Sequence, residues 1–398
     1  MQIIISPGKL SGNIRAISSK SIAHRMLICA AISDNTTEIF CPDSSDDIDA
    51  TISCLNTLGA SIVRSGASYL VTPIVDFPKE VALDCRESGS TLRFLLPLVG
   101  AFGISATFLL RGRLPMRPLS PLWEEMEGMG CELSRPAENI VRCTDRLTSG
   151  EYSIDGSVSS QFITGLLLAL SVLPGKSTLK ITGELQSKPY VDITKDVLSL
   201  FGINTYGAFI EGRYPLNTPS HLVVEGDWSN AAFFLVANAL GSQINISNLN
   251  PHSCQGDRRM INLISFLETG QEVNLSQVPD LMPILCVLAA KRNGAVFTNI
   301  QRLRLKESDR VQTVQEMLRN MGVQTSITGN TFTVFPGSFN ACTVNSHNDH
   351  RIAMAAAIAA TTATGQIRIL NAECVRKSYP AFWEHFAALG GNYEQLEG

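Results

Sequence analysis

Basic residues of this chain are concentrated in and around short polar clusters, most of which stand just ahead of apolar, helix-forming runs. The cationic residues of these clusters are Lys20, Arg25, Arg93, Arg113, Arg117, Arg304, Lys306, Arg310, His350, Arg351, Arg376 and Lys377. The start of a helix leaves backbone N–H groups unpaired and carries a partial positive charge, so it attracts anions. Guanidinium groups add bidentate, charge-assisted hydrogen bonds to phosphate and carboxylate. The clusters therefore predict a small substrate with two or more phosphate or carboxylate groups.

Each of these features has a simpler explanation when it is taken singly. An arginine at the start of a helix is more often part of a surface ion pair than of a ligand site. Asp280, and the Ser-Ser-Gln that begins at Ser159, stand where helix N-caps usually stand. The charged stretch from Lys306 to Arg310 is equally typical of a solvated turn. The functional hypothesis therefore depends on the clusters occurring together and in this order.

A repeat along the chain provides the elements that must position these clusters. Six times a polar cluster leads into an Ala- and Leu-rich helix, predicted at 24–32, 92–99, 162–173, 231–240, 281–290 and 352–361. Helices that are apolar on all sides must be largely buried. Strand-like stretches and a second, amphipathic helix lie between them. The pattern predicts an α/β fold of six strand–helix–strand–helix–strand units, grouped as three plus three.

The ends of the second helices and the joins between the halves can also be placed. Glycine suits the left-handed conformation just past a helix end. The glycines that follow second helices are Gly59, Gly130, Gly202 and Gly322. The turn-rich stretch 206–219 is predicted as one crossing between the halves, and 13–18 as the other. This places the N-terminal strand with the C-terminal half.

Composition and charge narrow the class of protein. The 398 residues suffice for two or three domains, 44% of them are hydrophobic, and the net charge of −4 argues against a general nucleic-acid binder. The ten cysteines form no Cys-x-x-Cys pair and the six histidines have no zinc spacing with them, so we expect free thiols and no metal site. The N-terminus lacks a signal-peptide pattern and the apolar runs are too short to cross a bilayer, which predicts a cytoplasmic protein without membrane contact.

The polar clusters match, in order, the motifs of a known family. They are Ser19-Lys20-Ser21-Ile22-Ala23-His24-Arg25, Glu87-Ser88-Gly89-Ser90-Thr91-Leu92-Arg93, Arg113-Leu114-Pro115-Met116-Arg117-Pro118, Ser159-Ser160-Gln161-Phe162, Ser187-Lys188-Pro189-Tyr190-Val191-Asp192-Ile193-Thr194, Pro279-Asp280, Lys306-Glu307-Ser308-Asp309-Arg310, Asn348-Asp349-His350-Arg351 and Lys377. On these motifs, and over nearly its whole length, the chain resembles the 3-phosphoshikimate 1-carboxyvinyltransferases, also called EPSP synthases. Two positions depart from the family pattern: Glu87 stands where many relatives carry Asn, and Arg302 where some have a substrate-binding Asn. No role is carried over to these two residues.

The resemblance implies the enolpyruvyl transferase fold, an α/β fold of two similar domains, each with three βαβαββ units around buried parallel helices. It implies that residues 1–18 and 223–398 form one discontinuous domain and residues 19–222 an inserted one. The active site is then expected in the cleft between them, with closure on substrate binding.

The resemblance also implies the reaction. The carboxyvinyl group of phosphoenolpyruvate is transferred to the 5-hydroxyl of shikimate 3-phosphate, which gives 5-enolpyruvylshikimate 3-phosphate and phosphate. The route is addition and elimination through a tetrahedral intermediate, in chorismate and aromatic amino-acid biosynthesis. We expect no cofactor, no nucleic-acid partner and a monomer, and Gly89 favours sensitivity to glyphosate.

Roles for individual residues follow from the same resemblance. The residues implied in shikimate 3-phosphate binding are Lys20, Ser21, Arg25, Ser159, Ser160, Gln161, Ser187, Tyr190, Asp280 and Lys306. Those implied in phosphoenolpyruvate binding are Lys20, Gly89, Arg113, Gln161, Arg310, Arg351 and Lys377. Asp280 is the predicted base for the 5-hydroxyl and Glu307 the predicted proton-exchange group at the methylene carbon. Lys306 shares this proton work or neutralises charge, and His350 completes the predicted catalytic set.

Two alternatives stay open at this point. The sister activity within the fold transfers enolpyruvyl to UDP-N-acetylglucosamine and usually uses a cysteine in a Gly-rich loop, but the stretch 111–120 has no cysteine. A non-catalytic anion-binding relative would keep the cationic clusters and lose Asp280 or Glu307, and both are present.

Overall fold

The computed structural model describes residues 1–219, 221–269 and 271–396. The chain forms two compact units. One, the N/C unit, consists of Met1–Ile17 and Gly226–Gly398, and the other, the middle unit, is Ser18–Glu225. The N/C unit begins with β1 (Gln2–Ile5) and β2 (Ser11–Arg15).

The middle unit has six helices and three four-stranded sheets among its described residues. The helices are α1 (Lys20–Ala31), α2 (Asp46–Thr57), α3 (Gly89–Phe102), α4 (Leu122–Gly128), α5 (Ser160–Leu170) and α6 (Lys188–Leu200). The strands are β3 (Thr37–Phe40), β4 (Ser61–Ser65), β5 (Ser68–Thr72), β6 (Glu80–Arg86), β7 (Ser105–Leu110), β8 (Cys131–Ala137), β9 (Ile140–Asp145), β10 (Glu151–Asp155), β11 (Gly175–Thr182), β12 (Thr205–Tyr206), β13 (Phe209–Gly212) and β14 (Leu222–Val223). The sheet orders are β14-β3-β5-β4, β6-β7-β9-β8 and β10-β11-β13-β12.

The rest of the N/C unit repeats this design. Its helices are α7 (Trp228–Ala239), α8 (Met260–Leu267), α9 (Met282–Ala290), α10 (Arg310–Asn320), α11 (His350–Ala360) and α12 (Phe382–Ala388). Its further strands are β15 (Gln243–Ser247), β16 (Glu272–Asn274), β17 (Ala295–Thr298), β18 (Thr325–Thr328), β19 (Thr331–Val334), β20 (Cys342–Asn345), β21 (Ile367–Leu370) and β22 (Tyr393–Leu396). The sheet orders are β15-β2, β16-β17-β19-β18 and β20-β21-β1-β22.

The order β6–α3–β7–α4–β8–β9 shows why the unit takes this form. Strands β6 and β7 are parallel, so the chain must cross over between them, and the buried helix α3 makes that crossing. Strand β9 then pairs antiparallel with both β7 and β8. The same βαβαββ order recurs from β10 to β13 and from β16 to β19. The predicted repeat is therefore confirmed, as is each of the six predicted buried helices, which appear as α1, α3, α5, α7, α9 and α11.

The buried helices pack closely because small residues face their neighbours. A Cβ atom on Gly165 of α5 would overlap the carbonyl oxygen of Arg93 in α3. Glycine at this position therefore lets the two helix backbones approach each other more closely than a side chain would permit. This approach fixes the start of α3 beside the start of α5.

Polar side chains begin several of these helices, as the sequence predicted. Ser88, Ser159, Asp227 and Asp349 each accept a hydrogen bond from a backbone N–H group in the first turn of α3, α5, α7 and α11 respectively. The glycines predicted past the second helices adopt positive φ, for example +112° at Gly59. The termini of the buried helices are thus defined by local chemistry.

The structure differs from the sequence prediction over 206–219. This stretch was expected to cross between the two halves, but it contains β13, which pairs with β11 inside the middle unit. The division of the chain falls instead after Glu225. Across the described residues, no helix is long and apolar enough to span a membrane.

Candidate active site

One arginine at the start of α10 gathers three carboxylates in the N/C unit. The side chain of Arg310 is 1% exposed and donates from Nη1 to Asp280 (2.6 Å), from Nη2 to Glu307 (2.6 Å) and from Nε to Asp349 (2.8 Å). A buried guanidinium requires partners of this kind because an unpaired desolvated charge is costly. Arg310 therefore fixes the relative positions of three acids that lie far apart in the sequence.

Asp280 is the acid with the most cationic neighbours. It lies in a 3-10 turn, Pro279–Leu281, directly before α9. Besides Arg310, the Nζ atom of Lys306 is 3.4 Å from its carboxylate and Nη2 of Arg351 is 3.3 Å away. Burial alone would raise the pKa of Asp280, but the charges of Arg351, Lys306 and Arg310 hold it well below its usual range. Asp280 is therefore an ionised carboxylate held among cations.

Lys306 is a group of this cluster whose pKa is shifted toward neutral pH. Burial lowers the pKa of its amine to about 8, and the positive charges of Arg310 and Arg302 act in the same direction. The negative charge of Asp280 opposes the shift. An amine with a pKa close to the working pH is suited to proton transfer.

The start of α11 supplies the remaining predicted residues of this unit. Asp349 is fully buried and caps α11 while it accepts hydrogen bonds from Arg310 and from the hydroxyl of Ser308. His350 follows it and is 2% exposed. Nζ of Lys377 donates to the backbone oxygen of Asn348 (2.8 Å), so Lys377 lies at the same turn.

A further buried acid lies near this cluster. Asp257, in the 3-10 turn Gly256–Arg259, is 3% exposed. Burial, assisted by the nearby charge of Asp280 and opposed by that of Arg351, raises the pKa of Asp257 to about 6. The sequence analysis did not single out this residue, since a lone Asp in Gln-Gly-Asp-Arg looks like an ordinary turn residue.

In the middle unit, two guanidinium groups surround the start of α3. A Cβ atom built on Gly89 would lie 2.6 Å from Nη1 of Arg93 and 2.8 Å from Nη1 of Arg117. Arg93 also donates to Oε1 of Gln161 (3.0 Å), and Gln161 donates to the hydroxyl of Ser90 (3.0 Å). The first turns of α3 and α5 are thus joined by a polar network beside two cations, which is chemistry suited to a phosphate or carboxylate.

The first two turns of α1 contribute Lys20 and Arg25. Nζ of Lys20 is 2.6 Å from the carboxylate of Asp47 at the start of α2. Arg25 is 3% exposed and donates to the hydroxyls of Thr194 (2.7 Å) and Thr164 (3.1 Å), and to backbone oxygens of Ser21 and Tyr190. Arg25 therefore links α1, α5 and α6 as well as contributing positive charge.

The predicted hydroxyl-bearing residues occupy the starts of α5 and α6. Ser159 caps α5 and Ser160 begins it. Ser187 precedes α6 in a left-handed conformation (φ +55°), and Tyr190 is in the first turn of that helix. The first two turns of α1, α3, α5 and α6 therefore carry the selected middle-unit residues other than Arg113 and Arg117.

Comparison with known proteins identifies the family. A family model described as EPSP synthase (3-phosphoshikimate 1-carboxyvinyltransferase) matches residues 4–386. The chain belongs to this family. Relatives named 3-phosphoshikimate 1-carboxyvinyltransferase include one from Clostridium kluyveri, 37% identical with 99% of this chain and 98% of the relative covered. Another, from Clostridium botulinum, is 39% identical with 98% of each chain covered.

Solved structures show the same fold. EPSP synthase from Acinetobacter baumannii superposes with a TM-score of 0.80 at 23% identity, over 100% of both chains. The enolpyruvyl transferase NikO from Streptomyces tendae superposes with a TM-score of 0.76 at 18% identity, over 100% of this chain and 99% of the other. The prediction of the enolpyruvyl transferase fold is confirmed.

The structure brings most of the predicted EPSP synthase residues of each unit into two groups. In the N/C unit, one contiguous cluster of ion pairs joins Asp280, Lys306, Glu307, Arg310 and Arg351. Asp349 belongs to that cluster as well, although the sequence analysis gave it no role of its own. The available signal was its position as the N-cap of α11, because Arg351 of the cluster lies in the first turn of that helix.

Arg113, which is predicted to bind phosphoenolpyruvate, lies on the surface of the middle unit. It is exposed and precedes a 3-10 turn, Leu114–Met116. That turn carries the chain to Arg117, whose guanidinium lies at Gly89. Arg93 lies there too and was noted only as a cation in a first turn. Its spacing of four residues from Gly89 places both on one helix face, which was the available signal.

Glu87 and Arg302, the two residues that depart from the EPSP synthase pattern, each have identifiable neighbours. The carboxylate of Glu87 lies against Gly112, where a side chain would overlap it. Arg302 lies close enough to Lys306 for its charge to lower that residue's pKa. Within the described ranges, no group of three or more His, Cys, Asp or Glu residues is arranged to hold a metal ion.

Proposed function

We propose that this protein transfers the carboxyvinyl group of phosphoenolpyruvate to the 5-hydroxyl of shikimate 3-phosphate, releasing phosphate. The observation that carries the proposal is the cluster around Arg310, where three acids and three cations meet in a largely buried setting. Names of relatives over nearly the full chain support the choice of substrates. The product would be 5-enolpyruvylshikimate 3-phosphate, an intermediate of aromatic amino-acid biosynthesis.

The reaction requires three proton transfers and stabilisation of negative charge. A proton is added to the methylene carbon of phosphoenolpyruvate, while the 5-hydroxyl loses its proton and its oxygen bonds to the adjacent carbon. The tetrahedral intermediate then expels phosphate and loses a proton from the new methyl group. General acid–base groups lower the barriers of the proton transfers, and fixed cations stabilise the charge that develops.

The N/C unit supplies the acid–base groups in this proposal. Asp280 is ionised and accepts the proton of the 5-hydroxyl. Glu307 exchanges the proton at the methylene carbon, and its carboxylate is held in place by Arg310. Lys306, with its pKa of about 8, stabilises the negative charge that develops during the reaction and takes part in the proton transfers. Arg310, Arg351 and Lys377 bind the anionic groups of phosphoenolpyruvate, and His350, which is buried at the start of α11, stays in the proposed catalytic set.

The middle unit supplies binding groups. Lys20, Gly89 and Gln161 are proposed to contact phosphoenolpyruvate, with Arg117 in the place first predicted for Arg113. Ser21, Ser159, Ser160, Ser187 and Tyr190 are proposed to contact shikimate 3-phosphate, since hydroxyls at helix starts suit its phosphate and ring hydroxyls. Arg25 holds three of these helix starts together and adds a fixed positive charge.

Phosphate release by the purified protein tests the proposal. The two substrates are supplied together and singly, with EDTA present, and UDP-N-acetylglucosamine replaces shikimate 3-phosphate in a parallel assay. We expect release that depends on both phosphoenolpyruvate and shikimate 3-phosphate and persists in EDTA. Release with UDP-N-acetylglucosamine alone as acceptor would assign the sister activity. Silence with both acceptors would leave only anion binding, which calorimetry with phosphoenolpyruvate would then measure.

A further inference from the structure

A chain of buried polar side chains connects α1, α2 and α3 inside the middle unit. Nδ1 of His24 is 2.8 Å from the hydroxyl of Thr51, which is 2.7 Å from the hydroxyl of Thr91, which in turn is 2.7 Å from the hydroxyl of Ser88. None of the four residues is more than 1% exposed. Their hydrogen bonds therefore form in a dry interior, where a broken link is costly.

The direction of this chain follows from counting hydrogens. Each hydroxyl carries one hydrogen. The hydroxyl of Thr91 donates to Ser88, which also accepts the backbone N–H of Thr91. Thr91 must therefore accept from Thr51, and Thr51 must accept from Nδ1 of His24. This assigns the hydrogen of a neutral imidazole to Nδ1 and leaves Nε2, which is buried without a hydrogen-bond partner in the described structure, as the unprotonated nitrogen.

The far end of the chain is the turn that presents Gly89. Ser88 caps α3 and is followed by Gly89 and Ser90, beside the guanidinium groups of Arg93 and Arg117. A second polar contact ties α2 to α1, because Asp47 at the start of α2 pairs with Lys20 at the start of α1. The serines at the starts of α5 and α6 are not part of this hydrogen-bonded series. The series therefore supports the residues proposed to bind phosphoenolpyruvate at Gly89, and not those proposed to bind shikimate 3-phosphate.

We propose that His24 is a positioning residue for phosphoenolpyruvate binding: as the neutral Nδ1–H tautomer it anchors, through Thr51 and Thr91, the turn that presents Gly89. The proposal rests on the proposed function for the identity of the ligand, but the tautomer does not depend on it. Burial, together with the positive charges of Lys20 and Arg25, lowers the pKa of His24 well below its usual value and keeps the ring neutral. Thr51 is the link between the histidine and the turn.

Isosteric substitution of Thr51 tests the connection. Thr51→Val removes the hydroxyl with little change of volume, and Thr51→Ser retains it. Thr37→Val is the matched control, because Thr37 is fully buried in the same unit and its hydroxyl has no hydrogen-bond partner in the described structure. We expect Thr51→Val to raise KM for phosphoenolpyruvate by about tenfold, the effect of one buried hydrogen bond. KM for shikimate 3-phosphate and kcat are expected to stay within about twofold of wild type, because a change that weakens binding of phosphoenolpyruvate equally in the ground state and the transition state leaves kcat unchanged.

The outcomes separate a positioning role from a structural one. Recovery of KM in Thr51→Ser and wild-type behaviour in Thr37→Val support the proposal. Equal increases in KM for both substrates would indicate general loosening of the unit and overturn it, as would a Thr51→Val enzyme no different from Thr37→Val.

Nitrogen NMR of the full chain tests the tautomer without turnover. With ¹⁵N-labelled histidine, the two ring nitrogens of a neutral imidazole have distinct shifts, and the His24 signals are assigned by their loss in His24→Asn or, should that variant not fold, by their movement in Thr51→Val. We expect a protonated Nδ1 and an unprotonated Nε2. A protonated Nε2 would overturn the proposal even in an active enzyme, and an inactive enzyme with protonated Nδ1 would refute the proposed function alone.

Discussion

The amine of Lys306 is expected to lose its proton within the pH range in which enzymes are commonly assayed. Burial places its pKa at about 8, and the amine carries its charge below that pH and loses it above. The proposed role of Lys306 requires the charge. Activity that depends on the free enzyme should therefore decline on the alkaline side, and Lys306→Arg, which keeps a charge that does not titrate, should remove the decline.

The size of the effect follows from the pKa. With a pKa of about 8, the amine is roughly nine-tenths protonated at pH 7 and one-tenth protonated at pH 9, so kcat/KM for phosphoenolpyruvate should fall about tenfold across that interval. Bound substrate anions favour the charged amine, so the decline in kcat should lie at higher pH than the decline in kcat/KM. The phosphate groups of the substrates, with a second pKa of about 6, are already ionised in this range.

The assay is phosphate release from pH 6.5 to 9.5, with phosphoenolpyruvate below its KM and shikimate 3-phosphate saturating. Wild type should show the decline, and Lys306→Arg should be flat above pH 7 even if its activity is lower throughout. A wild-type profile that stays flat to pH 9.5, or a Lys306→Arg profile with the same decline, would refute the assignment of this titration to Lys306.

Three further expectations concern residues of both units. Asp280→Asn and Glu307→Gln should each lower kcat by roughly 10²–10⁴-fold, and steady-state turnover near wild type in both variants would remove the acid–base assignment. Gly165→Ala should destabilise the protein by roughly 1–3 kcal/mol in urea unfolding, because the added methyl meets the backbone of Arg93; an unchanged midpoint would show that α3 and α5 can separate at no cost. Gly89→Ala should keep wild-type stability but raise KM for phosphoenolpyruvate, since its methyl meets the movable ends of the Arg93 and Arg117 side chains, and an unchanged KM would exclude Gly89 from the binding surface.

The sequence was most informative where local chemistry decides the structure. The buried helices follow from apolar composition on all faces, and their starts follow from Ser and Asp caps such as Ser88 and Asp349. Both features depend on residues that are close together in the sequence. The order of motifs then located most of the candidate site, because the residues at helix starts were the ones that the motifs marked.

Burial of charge could not be predicted in the same way. The stretch from Lys306 to Arg310 has the composition of a solvated turn, yet the side chain of Arg310 is 1% exposed. Arg310 can be buried because Asp280 and Asp349, which are distant in the sequence, pair with its guanidinium group. No local sequence pattern reveals such pairing. Asp257 was missed for the same reason.

Spacing alone also failed where the backbone changes direction. Arg113 and Arg117 are equally cationic in the sequence, and the 3-10 turn between them decides which one lies at Gly89. Likewise, β13 is only four residues long, so the stretch 206–219 looked like a linker. Pairing with β11, a tertiary contact, is what makes it a strand.

The position of β1 has a consequence for how the protein is made on the ribosome. Ile3 pairs with Ile369 of β21 and with Gln395 of β22, so β1 cannot find its neighbours until those two strands, far along the chain, have been synthesised. The middle unit, by contrast, is continuous from Ser18 to Glu225 and is complete long before then. Because domains generally fold as units during synthesis, the middle unit can fold while the apolar strand β1 has no partner strand. During synthesis β1 therefore stays without partner strands until β21 and β22 emerge, and in that interval its unpaired edge is open to chaperones that bind short apolar segments.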